Sequence, residues 1–235
     1  MDLSKILFLD IETVPQYSNY NKQPERLKLL WNHKASFLSK SEEDTPENLY
    51  SRAGIYAEFG KIVCISVGLI HYQNGKNHLR LKSYFGDDEV DLLKRFSKLL
   101  ENHYNSNQHL LCGHNAKEFD FPYLCRRMLV NGLKIPSILD LGGKKPWEVQ
   151  HLDTMQMWRF GDFKGYTSLD LLAAIFDIPS PKVDISGADV GRVYWEDKGL
   201  ERIAEYCQND VVCLVQIFLK MNGFDLIEDK FNSPV

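Results

Sequence analysis

Surplus positive charge, long apolar runs and paired cysteines are all scarce in this 235-residue chain. Its 28 Lys and Arg are outnumbered by 32 Asp and Glu, leaving a net charge of −4 and a pI of about 6.0. That excludes a basic footprint spread over the whole surface. Nucleic acid as a substrate is not excluded, because a site that grips a strand through cations needs carboxylates at its centre and only a local basic rim. The longest apolar stretch, Ile62 to Ile70, is far too short to span a bilayer, so no membrane partner is expected. The cysteines, Cys64, Cys112, Cys125, Cys207 and Cys213, are odd in number and form no C-x-x-C pair. Most lie in apolar runs, where a free thiol behaves as a small hydrophobe. A reducing compartment is expected rather than a disulfide framework. The first residues, Met-Asp-Leu-Ser-Lys, do not form a signal peptide, so a cytoplasmic location is the expectation. Internal repeats and low-complexity tracts are absent.

What the chain does have is a core. Hydrophobic residues make up 44%, enough to fold without staples, and the length fits one large α/β domain or two small ones. Residues 5–12 (KILFLDIE) are an apolar run broken only by carboxylates, as suits a central strand buried on both faces. Residues 61–72 are β-branched, Asn74-Gly75 is a hairpin turn, and 78–85 alternate, giving a second and a third strand. Further strands are predicted at 109–114 and 149–154. Helices are predicted at about 86–103, 121–131, 168–177 and 200–221. Strands first joined by turns and then separated by helices imply a mixed sheet, antiparallel at one end and parallel at the other. Residues of about 14–60 form an insertion between the first two strands. It is expected to hold helices near Pro24 to Phe37 and after Thr45-Pro46-Glu47, and it serves either as a lid with Trp31 or Tyr50 as a wedge, or as a packing cover. From about Gly223 the chain reads as a polar tail.

The chemistry-bearing residues are carboxylates. Asp10 and Glu12 are two apart on a strand, so they share a face, at the C-terminal end where α/β sheets place their sites. Such a pair repels unless a cation lies between its members, although it also suits an ordinary strand-to-loop transition. Asp120 stands where a helix N-cap would. Asp210 is deep inside a helix, beside a stripe of Ile203, Cys207, Val211, Leu214 and Phe218. It cannot be a cap, and a carboxylate aimed at a packed face needs a partner. Tyr206 lies one turn before it on the same side.

Together FLDIET (8–13), NAKEFD (115–120) and YCQND (206–210) resemble the three motifs of the DEDD exonucleases, and most closely the proofreading domain of family-B DNA polymerases. One branch of these enzymes has a His five residues before the last Asp, where this chain has Glu205; the other has a Tyr four before it, here Tyr206. No His follows His151, so the resemblance is to the tyrosine branch. It implies one ribonuclease-H-like domain over 1–235, with a five-stranded mixed sheet flanked by helices. It also implies a 3′→5′ exonuclease using two divalent cations, Mg²⁺ or Mn²⁺, as hard oxygen ligands favour. By resemblance, Asp10, Glu12 and Asp210 hold the ion that activates water, Asp10 bridges to the second, and Asp120 reaches that one directly or through water. Tyr206 orients the nucleophile. Ile11 and Thr13 lie against the terminal nucleotide with Phe119 of the second motif, and Asn115 bonds the strand or orients the Asp120 loop.

The implied partner is a single-stranded 3′ end, DNA favoured over RNA, cleaved to nucleoside 5′-monophosphates. An RNA exonuclease and a binding module without catalysis are the alternatives. A chain without room for a polymerase palm leaves a separate polymerase or a repair complex as the protein it would serve.

Weaker signals accompany these. Trp147, Trp158, Phe160, Phe163 and Tyr166 interleave with Lys144, Lys145, Arg159 and Lys164, a pattern that suits strand stacking but for any one ring is expected to be core. Arg126 or Arg127 could reach a phosphate, or both could line a solvated helix face. His151 and Asp153 are expected to hydrogen-bond at a strand end rather than bind metal.

Overall fold

A computed structural model describes residues 1–145, 148–162, 165–179 and 185–228, and the backbone of 230–232. Strand β1 (Ile6–Pro15) is central, as its unbroken apolar run requires. β2 (Gly60–Gln73) and β3 (Lys76–Phe85) follow as an antiparallel meander through the turn at Asn74 and Gly75, both at positive φ. On the other side of β1, β4 (Leu110–Gly113) and β5 (Leu152–Asp153) are parallel. The order β5-β4-β1-β2-β3 is the mixed α/β sheet expected, consistent with a ribonuclease-H-like fold.

Alternation along β1 divides the core. Leu7, Leu9 and Ile11 face helices α2 (Glu89–His103) and α3 (Asp120–Val130), against Leu93, Phe96, Phe121 and Leu124. Ile6 and Phe8 face helix α7 (Leu200–Met221), where Phe8 meets Phe218 edge-on at 5.2 Å. Gly68 of β2 lets α7 come this close: a Cβ there would lie 2.9 Å from Val211 Cγ1. The seat of α7, and with it the place of Asp210, therefore depends on a missing side chain.

Several expectations need correction. β5 has two residues instead of the predicted 149–154, because the His151 ring, not its backbone, takes the Leu111 N–H (3.2 Å), while its Nε2 pairs with Ile138 O at 2.8 Å. The segment taken for a polar tail adds a sixth strand, β6 (Lys230–Asn232), parallel to β3. Short helices α4 (Thr154–Arg159) and α6 (Val190–Trp195) join the predicted α5 (Leu169–Ile175).

In the insertion, α1 (Glu25–Ser36) is as expected, but the second helix is a 3₁₀ segment, Asn48–Ile55. Trp31 and Tyr50 are not wedges. Trp31 is fully buried, donates to Pro46 O at 2.7 Å and packs with Tyr50, Ala35, Leu49 and Ala53 as a small core of its own. Arg127 is neither solvated nor free for a phosphate: it is buried against Glu89 (2.6 Å) and also donates to Ala57 O and Gln16 Oε1.

Candidate active site

β1 carries Asp10 and Glu12 on the α7 side of the sheet, opposite Ser66 and Cys64 of β2. The register shifts just after Glu12, so the strand bends away immediately beyond the pair. Glu12 is buried and Asp10 half-buried.

Asp120 is the first residue of α3, yet its side chain does not cap that helix. The cap position is Phe119, which makes no side-chain cap bond. Asp120 Oδ1 instead accepts the Ile11 N–H at 3.2 Å. Pairing between β1 and β4 ends at Phe8 and Cys112, and the carboxylate takes over where β4 has stopped.

α7 brings the third segment. Asp210 is mid-helix, and Tyr206, one turn earlier, hydrogen-bonds to it. Tyr206 packs at the edge of a cluster formed by Val14, Cys64, Val193 and Ile203, and a Cβ on Gly187 would lie 3.9 Å from its hydroxyl.

The electrostatics are those of crowded acids. Desolvation, then the nearby Asp120 and Asp210, push Asp10 well above the usual carboxylate range. Glu12 is raised likewise, by desolvation and then by Asp10 and Asp210. Burial brings Asp120 up to about 7, against the pull of backbone N–H groups including that of Ile11. Burial also takes Asp210 up to about 6, against the Tyr206 hydrogen bond. Tyr206 itself is raised by burial and by Asp210, Glu12 and Asp10, so its hydroxyl keeps its proton at neutral pH. A divalent cation among these oxygens would relieve both the repulsion and the desolvation. The donor set therefore fits hard divalent ions, as an acidic metal site requires.

Cys207 was taken from the sequence only as part of the apolar stripe. Its thiol points at Asp10, with Sγ 3.4 Å from the carbonyl oxygen and 3.5 Å from Oδ2. Among the described residues, one ligand atom each from Asp10, Glu12 and Cys207 lie within 4.8 Å of one another. The available signal was adjacency, since Cys207 directly follows Tyr206.

Asn115 is held at φ 60, where Asn is tolerated, and its Oδ1 is buried without a partner. Its N–H and that of Lys117 both donate to Asp153, which also caps α4 through Met155 N and Gln156 N. Asp153 thus organises the second-motif loop, the strand-end role expected of it. Phe119 is half-buried against Tyr123, at 5.3 Å. Ile11 is buried and Thr13 half-buried.

Of the aromatic residues beyond the motifs, Trp158 is partly buried and packs on Phe176 at the edge of a small core cluster. Phe160 and Tyr166 are not core, being 92% and 70% exposed. Arg159 pairs with Glu118 of the second-motif loop at 3.4 Å, which sets this turn beside it. Trp147, Phe163 and Lys164 lie outside the described residues.

Residues 55–233 match the model of a family described as predicted 3′-5′ exonuclease related to the exonuclease domain of PolB. The matched range contains the second and third motifs and leaves out Asp10 and Glu12. A DNA polymerase of Pyrococcus glycovorans is 27% identical over 143 residues, and one of Desulfurococcus sp. (strain Tok) 28% over 134. Each match covers 52% of this chain and only 17% of the relative's length. The solved structure of the family B DNA polymerase from the hyperthermophilic archaeon Pyrobaculum calidifontis is similar at 16% identity and a TM-score of 0.46, over 91% of this chain and 24% of that one.

Proposed function

This chain belongs to the family of predicted 3′-5′ exonucleases related to the exonuclease domain of PolB, and we propose that it hydrolyses the terminal phosphodiester of single-stranded DNA from a free 3′ end, releasing nucleoside 5′-monophosphates. The observation that carries this reading is convergence. Carboxylates from β1, the start of α3 and the middle of α7 converge, so that burial first and then the charges of Asp120 and Asp210 raise the pKa of Asp10. Such crowding costs stability, and it is retained here in an otherwise well-packed core.

Two divalent cations, Mg²⁺ or Mn²⁺, would be held by Asp10, Glu12, Asp120 and Asp210, and when bound would supply charge stabilisation at the scissile phosphate and ease deprotonation of the attacking water. Tyr206 orients that water. Its raised pKa makes it a hydrogen-bonding group rather than a base, and Asp210 fixes its hydroxyl. The backbone of Ile11 and Thr13 and the ring of Phe119 receive the terminal nucleotide. Asn115, through its unpartnered Oδ1, positions the strand or its own loop. Phe160 and Tyr166, exposed beside that loop, offer stacking faces to a single strand. A separate polymerase or a repair complex would present the 3′ end. A cytoplasmic setting is proposed because all the cysteines are free.

The test is digestion of 3′-labelled single strands of matched DNA and RNA with Mg²⁺ or Mn²⁺. Release of mononucleotides, faster from DNA, is expected. Binding without release under either metal favours a non-catalytic module, and faster release from RNA reverses the substrate.

A further inference from the structure

The Cys207 thiol is buried in an apolar cluster that includes Cys64, with which it hydrogen-bonds, and it also reaches Asp10, at both the backbone carbonyl and the carboxylate. A tetrahedral cation with a metal–sulfur bond of about 2.3 Å and metal–oxygen bonds of about 2.1 Å holds its sulfur and oxygen ligands roughly 3.6 Å apart. Cys207 Sγ and Asp10 Oδ2 are separated by 3.5 Å, and a Glu12 oxygen lies within 4.8 Å of both ligands. The sulfur is thus already at ligand spacing from Asp10. It offers what a magnesium site does not use: a soft donor.

We propose that Asp10, Glu12 and Cys207 form a mixed carboxylate–thiolate site for a thiophilic divalent cation of the Zn²⁺ or Cd²⁺ class, overlapping the hard-ion site and competing with it. Binding exchanges the S–H···O contact to Asp10 for a sulfur–metal bond, and the thiol proton leaves to solvent. No oxidation is involved. The site rests on Cys207 geometry alone; only the competition rests on the exonuclease reading.

The probe is Cd²⁺, titrated into the metal-free full chain without nucleic acid. A stoichiometric ultraviolet thiolate-to-cadmium charge-transfer band is expected, and it is lost in Cys207→Ser, which keeps a hydroxyl to donate to Asp10. No band in the wild-type chain, or an equal band in Cys207→Ser, overturns the proposal. Should Cys207→Ser not fold, Glu12→Gln decides. It keeps the thiol but removes a ligand, so Cd²⁺ affinity measured from the band falls about tenfold or more, and unchanged affinity overturns the site. Zn²⁺ titrated into Mg²⁺-supported digestion inhibits the wild-type chain at lower concentration than Cys207→Ser, and equal inhibition of the two overturns the competition. A Cd²⁺ band in a chain that digests nothing sinks the exonuclease reading and supports this site. Digestion without a band does the reverse.

Discussion

The Ile11 N–H donates to Asp120 Oδ1 at 3.2 Å, so the first and second acidic segments are joined by a hydrogen bond although their carboxylates repel. This gives Asp120 two separable jobs. Asn at position 120 keeps the accepting oxygen and removes the charge; Ala removes both. Asp120→Asn is expected to be as stable as the wild-type chain, or more so, because a crowded buried acid is gone. Asp120→Ala leaves a buried N–H unpaired and loses about 1–3 kcal/mol in urea unfolding. Both lose digestion. Equal losses of stability in the two variants would show that the hydrogen bond holds nothing.

The raised carboxylates predict how stability follows pH. Asp210 at about 6 and Asp120 at about 7 lie above the unfolded values of roughly 4. Asp10 and Glu12 are also raised. The folded chain therefore keeps protons that the unfolded chain has lost. Their contribution to stability is fully present below about pH 4 and is lost as pH rises through 6 to 7. Buried His114 and His151, both lowered chiefly by desolvation, act in the opposite sense as acid is added. A difference isolates the carboxylates: Mg²⁺ or Mn²⁺ raises Tm more at about pH 8 than at about pH 5, and the excess disappears in Asp10→Asn combined with Glu12→Gln. Scanning calorimetry reads this directly, and an equal cation effect at both pH values refutes it.

Arg127 joins α3, which presents Asp120, to both ends of the insertion through Gln16 and Ala57, and its buried partner Glu89 accepts the Ile62 N–H at 2.8 Å. Removing one member of such a pair strands the other. Arg127→Ala or Glu89→Ala is expected to cost about 3–5 kcal/mol. Replacing both residues with apolar ones of similar volume removes the stranded charge but leaves the Ile62 N–H and Ala57 O without these partners, so it recovers only part of that loss, as judged by urea midpoints. Losses within the range of a surface pair, below about 1 kcal/mol, would contradict the buried clamp.

Long elements with one dominant pattern were legible in the sequence. The stripe of α7 marked both its ends, and the unbroken run of β1 placed it at the centre of the sheet. α4 and α6 are about one and a half turns each, too short to show a period. β6 is three residues held at an edge by β3, a tertiary effect that a polar tail conceals. In the site, the spacing of Asp10 and Glu12 and the interior position of Asp210 were readable locally. Asp120 was not, because a first-turn Asp looks like a cap whether or not it reaches another strand. Cys207 was hidden in an apolar stripe. Its aim depends on how α7 sits on the sheet, which Gly68 helps decide from far away in the chain. Arg127 was misjudged because nothing nearby in sequence announces Glu89.

Tyr206 and Asp210 share a hydrogen bond but should fail differently. Phe at 206 removes only the hydroxyl that orients water. Digestion is expected to slow severely, by about 10²-fold or more, while Mn²⁺ affinity measured calorimetrically stays within a few-fold of the wild-type chain. Asp210→Ala removes a carboxylate from the proposed cation set, so digestion is expected to be abolished and Mn²⁺ affinity to fall with it. The pH profile separates the roles further. Tyr206 stays protonated across the neutral range because burial and the surrounding acids raise its pKa, so it adds no limb of its own; its hydrogen bond holds the Asp210 pKa down, so its loss lowers the rate and moves the acidic limb upward. That limb belongs to carboxylates such as Asp210, which must be deprotonated to hold a cation and which bound Mg²⁺ or Mn²⁺ would pull below the value of about 6 set by burial in the metal-free chain. If Tyr206→Phe weakened Mn²⁺ binding as much as Asp210→Ala does, the tyrosine would have to be part of the cation site and the water-orienting role would be wrong.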